Sequence, residues 1–454
     1  MKKSLLALAA LASVASVAHA EDGVQLYGII DVGVAQMTNT SDFSPNFVTG
    51  AVPTGNLAKA ANVGTALGMM NGGQSATRWG IKGSEDLGSG RKVGFTLESG
   101  FSVGNGQLAS AGLAGSSNLF SAADTSLNGQ LFGRQAHLDL SDRQLGSLQI
   151  GRVYNLMADV TAGGYDPVDF QMFSPISFSG NYGGGGLTDN YRIDNSLKYI
   201  KEYGNYKFKY LHSFGGRSNS YTGGSSDQAS LAYENSRFGV SAAYEYSHDV
   251  TNLSNPGYLD TSNVFTQPSG ISALASPTSG VPIPNAVSVT YYDLRALQLA
   301  GKYNINSKFG VKGGYELLAY MPASNYAADS ALTQVYGYTV SGQANGGMKN
   351  VNVFWLGGNY NVTDRIKLSA GYYYVAQLPG STAAGTTSQA GASRFASLAA
   401  EYYISKRTNL YAAVMNDTVT GSQAAGNNGY VATTGTAQYP TVFNTYGIGV
   451  RTKF

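Results

Sequence analysis

The chain has no cysteine, so no disulfide can staple it and no thiolate can serve as nucleophile or metal ligand. Charge is scarce as well: Asp, Glu, Lys and Arg make up 12% of the residues, about half the fraction usual in soluble domains. Histidine occurs four times and proline twelve times in 454 residues. Beyond Val17 no apolar run approaches the roughly 20 residues that a membrane helix needs. Neither sign of charge dominates, the formal net charge being +2, which argues against a nucleic-acid partner. A long chain without staples, membrane helices or a strongly charged surface must draw its stability from another source, and a closed backbone hydrogen-bond network is one.

The first twenty residues stand apart. Lys2 and Lys3 form a basic start, Leu5 to Val17 is apolar, and Ala18-His19-Ala20 is a small-x-small cleavage site. This reads as a secretory signal peptide, residues 1–20, with the folded domain at 21–454. Its removal takes away two cations and no acid, leaving both charge counts equal at 27.

What the chain has in plenty is glycine, 59 residues, and tyrosine, 32 residues. Most of the sequence resolves into stretches of about ten residues with period-two alternation, the mark of strands. Two kinds of separator lie between them. The short ones are tight turns of Gly, Asn, Asp and Ser: Leu87 to Gly90, Asp142 to Gly146, Glu202 to Asn205, Glu234 to Arg237, Asn304 to Lys308, Val362 to Asp364 and Ser405 to Thr408. The long ones are 37–73, 104–128, 155–189, 215–226, 250–286, 321–347, 378–392 and 417–440. Seven turns alternate strictly with eight loops, which makes sixteen strands. Short turns at one end and long loops at the other describe an up-and-down transmembrane β-barrel of the Gram-negative outer membrane, with periplasmic turns and extracellular loops. A soluble sandwich would not segregate connection lengths in this way.

In lipid the outward parity must be apolar. Trp79 and Ile81 therefore face out, with Arg78 and Lys82 inside. Val93, Phe95 and Leu97 oppose Lys92 and Glu98, and Leu197 and Tyr199 oppose Arg192, Asp194 and Lys198. Tyr206, Phe208 and Tyr210 oppose Lys207 and Lys209. Lys312, Lys367, Arg451 and Lys453 join the expected lumen cations, while Asp86, Glu245, Glu316 and Glu401 join the acids. Cations outnumber acids on this inner face, which predicts a mild anion preference that salt weakens. Arg134 and Arg152 share parity with leucines and isoleucine. Either a bulge resets the register or these arginines lie above the lipid zone.

A sixteen-stranded barrel encloses a wide aqueous channel. The third long loop, about 155–189, is the candidate to narrow it. It carries GYDPVDFQMF from Gly164 to Phe173, with acids Asp159, Asp166 and Asp169 and possible ring anchors Tyr165, Phe170 and Phe173. An ordinary exposed loop is the other reading of the pattern.

VQLYGIIDVGV (24–34), TRWGIKGSEDLGSG (77–90), KVGFTLESGF (92–101), LFGRQAHLDL (131–140), SLQIGRVYN (147–155), RIDNSLKY (192–199), EYYISKRTNLYA (401–412) and YGIGVRTKF (446–454) together resemble the general diffusion porins of β-proteobacterial outer membranes. The resemblance implies a homotrimer of sixteen-stranded barrels, each with its third loop folded inward. It also implies an eyelet with basic residues Arg78, Arg134 and Arg192 facing acidic residues Glu98, Asp166 and Asp169. Val168 stands where the family often carries Phe, so Phe170 is the replacement anchor. The expected function is passive diffusion of small hydrophilic solutes, without cofactor or metal. The expected surroundings are outer-membrane lipid and lipopolysaccharide. Terminal Phe454 resembles the address read by the outer-membrane assembly machinery, and its strand is expected to pair with the first.

Four other classes fit the pattern less well. An enzyme would need a catalytic setting for His137, His212 or His248, and none stands in a triad or metal spacing. An energy-coupled transporter would need more strands and a plug domain. A channel specific for a sugar, phosphate or organic anion predicts an aromatic track or dense basic ladder. An occluded scaffold would not conduct.

Overall fold

The computed structural model describes residues 23–40, 64–104, 106, 108, 131–176, 192–218, 220–254, 274–275, 282–283, 286–329, 333–335, 338–381, 387–388, 390–421 and 442–454. The reading of 1–20 as a signal peptide lies outside them.

The chain opens with β1 (Val24–Thr40), β2 (Gly64–Asn71), β3 (Arg78–Gly88), β4 (Arg91–Gly100), β5 (Gln135–Asp142), β6 (Gly146–Tyr154), β7 (Arg192–Tyr203) and β8 (Tyr206–Ser213). It continues with β9 (Ser226–Glu234), β10 (Phe238–Ser254), the small ribbon β11 (Leu274–Ala275) and β12 (Pro282–Ile283), then β13 (Ala286–Asn304) and β14 (Phe309–Pro322). β15 (Gln334–Val335) and β16 (Tyr338–Asn345) decorate a long connection before β17 (Lys349–Thr363) and β18 (Ile366–Gln377). A second ribbon, β19 (Gly380–Ser381) with β20 (Thr387–Ser388), precedes β21 (Gly391–Tyr403), β22 (Thr408–Gly421) and β23 (Val442–Lys453).

Successive long strands pair antiparallel, and the last returns to the first, Ile29 opposite Lys453 through Met37 opposite Thr445. β2 and β3 both pair with β1, on its two halves, and so count as one interrupted strand. With the ribbons and β15–β16 set aside, the barrel has sixteen strands, as the connection lengths predicted. Several run past the expected boundaries. β13 has 19 residues, about twice what a tilted strand needs to cross the hydrocarbon, so it extends beyond the membrane.

Four successive turns close by one device. The Asn235 side chain accepts from the amides of Arg237 (2.8 Å) and Phe238 (2.9 Å), and Asn306, Thr363 and Ser405 repeat the pattern at the next three short turns. A short polar side chain that caps its own turn needs no neighbour, which is why these connections stay short.

Face assignment follows the alternation. In β18 Leu368 and Tyr372 are exposed while Tyr373 and Val375 are fully buried. The large exposed side chains of β1 to β6 are aliphatic (Leu26, Val34, Leu67, Met69, Leu138, Leu140 and Ile150). From β8 to β21 rings such as Tyr206, Phe238, Tyr303, Phe309, Phe354, Tyr372 and Tyr402 join aliphatics such as Leu231, Leu299, Leu356 and Leu398.

The closing seam is tight. Gly28 and Phe454 exchange both backbone bonds at 3.1 Å. A Cβ on Gly28 would collide with the Phe454 ring and lie 2.7 Å from the Arg78 carbonyl oxygen. Gly28→Val is therefore expected to impair closure. The check is the fraction of heat-modifiable, detergent-resistant barrel on semi-native gels, with Val34→Ala, on the same face, remaining near wild type.

Candidate functional site

The segment after β6 turns inward. Asn155 caps helix α1 (Leu156–Val160), its side chain accepting from the Ala158 amide at 2.6 Å. A π-helical turn, Thr161–Tyr165, follows, and Gly164 at φ 89 redirects the chain. Leu156, Met157, Val168, Phe170, Met172, Phe173 and Ile176 are then almost fully buried. Leu156 packs with Val153, Ile193 and Leu211 of the near wall, and the others share one cluster with inward side chains of far strands: Met70, Trp355, Tyr373, Val375, Tyr411 and Met415. One side of the lumen is thus a dry core. Parity marks Trp355, Tyr373 and Tyr411 as inward; nothing in their own strands says that a distant loop covers them.

Polar bonds fix the loop's course. Trp355 Nε1 donates to the Tyr165 carbonyl (3.1 Å), and the Tyr165 hydroxyl donates to Glu234 (2.8 Å). Lys312 Nζ donates to the Asp166 carbonyl (2.8 Å) and Lys302 Nζ to that of Gly163 (3.2 Å). Farther along, the amides of Gln171 and Met172 donate to the carbonyls of Gln74 (3.1 Å) and Gly73 (3.0 Å). Phe170 meets Tyr411 edge to face, ring centres 5.4 Å apart, and so occupies the anchoring place expected of it.

The three expected arginines gather on the wall from which the loop departs. Glu98 receives Arg78 at 3.3 Å, Arg134 at 2.7 Å and the Tyr27 hydroxyl at 3.1 Å. Arg134 also donates to the Tyr154 hydroxyl (2.8 Å), and the Arg192 guanidinium lies 4.9 Å from the Tyr154 ring centre. Arg134 precedes β5, so its side chain escapes the strand's parity and turns to Glu98. Arg152 keeps its register on β6, opposite Ala136, and a bulge on the facing strand supplies its partner. Between the pairs Gly151–Ser196 and Val153–Ile193 two residues of β7 oppose one of β6, and Asn195 takes φ 52. The bulge brings Asp194 to Arg152 at 2.6 Å, beside the Gly133 carbonyl at 2.7 Å.

The expected acidic side divides. Glu98 is on the basic wall, in ion pairs. Asp166 is fully buried, accepting from the Tyr373 hydroxyl (2.5 Å) and the Val168 amide (3.2 Å), so its carboxylate is turned to the barrel wall and not toward the arginines. A residue held by a buried tyrosine cannot also face the water path. Asp169, at φ 59, is exposed to the lumen. Desolvation inside the narrow barrel pushes its carboxyl up to about 6, with Asp166 adding repulsion and Lys312 and Lys367 opposing. Asp159 is the reverse case: burial would raise its carboxyl, but Lys198 and Lys209, each at 2.6 Å, outweigh that and hold it below the usual range.

Most other predicted lumen cations are also partnered. Lys82 lies over the Tyr27 ring (5.3 Å), Lys92 pairs with Asp86 (3.7 Å) and Lys207 with Glu202 (2.5 Å). Lys367 pairs with Glu401 (3.0 Å), and Arg451 donates to Asn409 (3.2 Å) and Ser75 (3.1 Å). Lys453 is exposed near the periplasmic mouth. Lys302, paired with Glu234 at 3.0 Å, was not singled out from the sequence. His137 and His212 each sit beside an aspartate, Asp139 and Asp227, and among the described residues no group of three metal-binding side chains forms.

A closed antiparallel barrel with an apolar exterior, a charged interior and an inserted loop defines the class of outer-membrane β-barrels. Within it, the chain belongs to the Gram-negative porin family, whose model matches residues 7–422. An outer membrane porin protein of Bordetella pertussis is 36% identical over 216 residues, covering 47% of this chain and 48% of that one. Outer membrane porin protein 32 of Delftia acidovorans is 36% identical over 98 residues, 22% of each chain. The chain thus spans about half, or less, of the length of these relatives. Among solved structures, an anion-selective porin from Comamonas acidovorans superposes with TM-score 0.58 at 17% identity, covering 95% of this chain and all of that one. The trimer form of OmpT from Vibrio cholerae superposes with TM-score 0.54 at 15% identity, covering 95% of this chain and 99% of that one. These two establish the fold.

Phe170 fills the space between Phe173 and Tyr411, so Phe170→Ala is expected to cost about 3–5 kcal/mol. Urea unfolding in detergent micelles checks it, with Phe309→Ala, on the outer face, as the comparison.

Proposed function

We propose that the protein is a passive, water-filled channel of the outer membrane for small hydrophilic solutes and ions, mildly favouring anions. The observation that carries this reading is the basic wall: Arg78 and Arg134 share the Glu98 carboxylate, and the Arg192 guanidinium stands next to them over the Tyr154 ring. Opposite lies a loop stiffened by a dry core. A fixed charge excess beside a narrowed water column enriches counter-ions, because at physiological salt its field reaches about 8 Å. The name of the Comamonas neighbour as anion-selective agrees with this reading. The lumen rings Trp355, Tyr373 and Tyr411 are buried under the loop and do not line the water path, which favours a general channel over one with an aromatic track. No catalytic step is assigned to any residue.

The same reading takes the protein as a homotrimer. The aliphatic sector from β1 to β6 suits contact with a second copy, whereas the ringed sector suits the lipid interface. Phe454, at the end of the closing strand, is proposed as the signal for assembly.

Reversal potentials in a potassium chloride gradient test the selectivity. Wild type is expected to favour chloride, and Arg78→Glu to lower the anion-to-cation permeability ratio by about twofold or more. Cation selectivity in wild type overturns the reading.

Acidification supplies a second expected outcome. The Asp169 carboxyl is charged above about 6 and neutral below, so lowering pH from 7.5 to 5 removes a negative lumen charge and strengthens anion preference. In Asp169→Asn the preference should already be high at pH 7.5, and the step should be smaller.

A further inference from the structure

The interruption of the second strand, residues 72–77, is built around one buried carboxylate. Asp31 Oδ2 accepts from the amides of Gln74 (2.9 Å) and Ser75 (2.6 Å), and Oδ1 accepts from the Tyr411 hydroxyl (2.5 Å). The backbone of Asp31 is held too. Its amide donates to Thr77 Oγ1 (3.0 Å), and its carbonyl accepts from Thr77 Oγ1 (2.9 Å) and Gly72 N (2.9 Å). A ladder strand would pair its carbonyls with β1. Here the segment bends away, and the carbonyls of Gly73 and Gln74 become available to another partner.

That partner is the tip of the inserted loop, through the Met172 and Gln171 amides at 3.0 and 3.1 Å. Everything around this contact is shaped for it. The Gln74 side chain is fixed between Glu401 (2.6 Å) and Asn409 (2.8 Å). A Cβ on Gly73 would collide with the Tyr411 hydroxyl, and one on Gly447 would come within 2.7 Å of the Phe173 ring. Tyr411 does two things at once: its hydroxyl caps Asp31 and its ring packs on Phe170.

We infer that Asp31 is a positioning residue for the pore: its carboxylate folds the strand gap at 72–77 into a dock that fixes the tip of the inserted loop, and thereby the aperture. The loop is held at its near end by the Asn155 cap and the Lys198–Asp159–Lys209 bridge, and at its far end by this dock. Loss of the dock leaves the barrel closed, because the β1–β23 and β1–β3 ladders do not pass through the Asp31 side chain. It frees the tip.

The inference rests on the reading of the loop as the constriction, and two measurements separate them. The variants are Asp31→Asn and Tyr411→Phe, which keep side-chain volume, with Asp31→Ala as the stronger change. Hydrogen exchange of the Gln171 and Met172 amides in folded, heat-modifiable protein is expected to accelerate at least about tenfold in Asp31→Asn, with amides of β17 unchanged. Bilayer recordings of the same protein are expected to show a changed single-channel conductance and severalfold greater open-channel noise. Tyr411→Phe should act in the same direction, more weakly. Unchanged exchange at Gln171 and Met172 in folded Asp31→Asn overturns the dock. Accelerated exchange with unaltered conductance and noise upholds the dock and overturns the loop as the constriction. If Asp31→Ala fails to fold, the two volume-conserving variants still decide between these outcomes.

Discussion

Every backbone N–H and C=O in contact with hydrocarbon must find its partner within the protein, since an unsatisfied group there costs several kcal/mol. The pairing of β23 with β1 meets that demand by abolishing both edges of the sheet. Most of the molecule follows from this closure. It permits a cysteine-free chain of low charge to hold together, and it sorts side chains into two faces by parity. It also makes the lumen the one place where backbone irregularity is tolerable. The break at 72–77 illustrates the limit: its freed carbonyls are taken up by the amides of Gln171 and Met172 and do not meet lipid.

The interior is divided between two kinds of physical chemistry. Beneath the inserted loop it is a packed core of Phe170, Phe173, Trp355, Tyr373 and Tyr411, where cohesion comes from apolar burial and each buried polar atom needs a specific acceptor. On the wall carrying Glu98 it is a hydrated array of ion pairs. The two halves need each other. Without a rigid loop the arginines would face a wide bore in which salt would screen them, and without the arginines the narrowed passage would filter by size alone.

Parity and connection length made the architecture legible. Seven turns and eight loops counted sixteen strands correctly, and the exposed sides of Tyr206, Phe208 and Tyr210 followed from alternation. The turn signals were strong because Asn235, Asn306, Thr363 and Ser405 act locally, each on its own turn. What stayed hidden depends on contacts across long sequence separations. The dual character of the inner wall depends on which strands the loop covers, and no strand carries that information. The partner of Arg152 was hidden because a bulge at Asn195, on the facing strand, is what brings Asp194 to it. Arg134 broke the alternation because it stands one residue outside β5. Asp166 reads as a loop acid, yet its partner Tyr373 is 207 residues away.

Pairing also changes what the lumen charges mean. A tally of inward cations and acids treats them as equivalent, but a pair such as Lys367 with Glu401 is a dipole whose field fades within a few ångströms. Lys198 and Lys209 serve Asp159, and Lys302 serves Glu234, so these lysines brace the loop more than they draw ions. The long-range field comes instead from places where charge is left in excess. Around Glu98 two guanidiniums share one carboxylate and that of Arg192 stands close by over the Tyr154 ring, while Asp169 is exposed on the loop. On the proposed reading, selectivity is set by a few local imbalances along a wall whose described charges are largely paired. Those imbalances act at full strength only while the loop keeps the water column between them narrow.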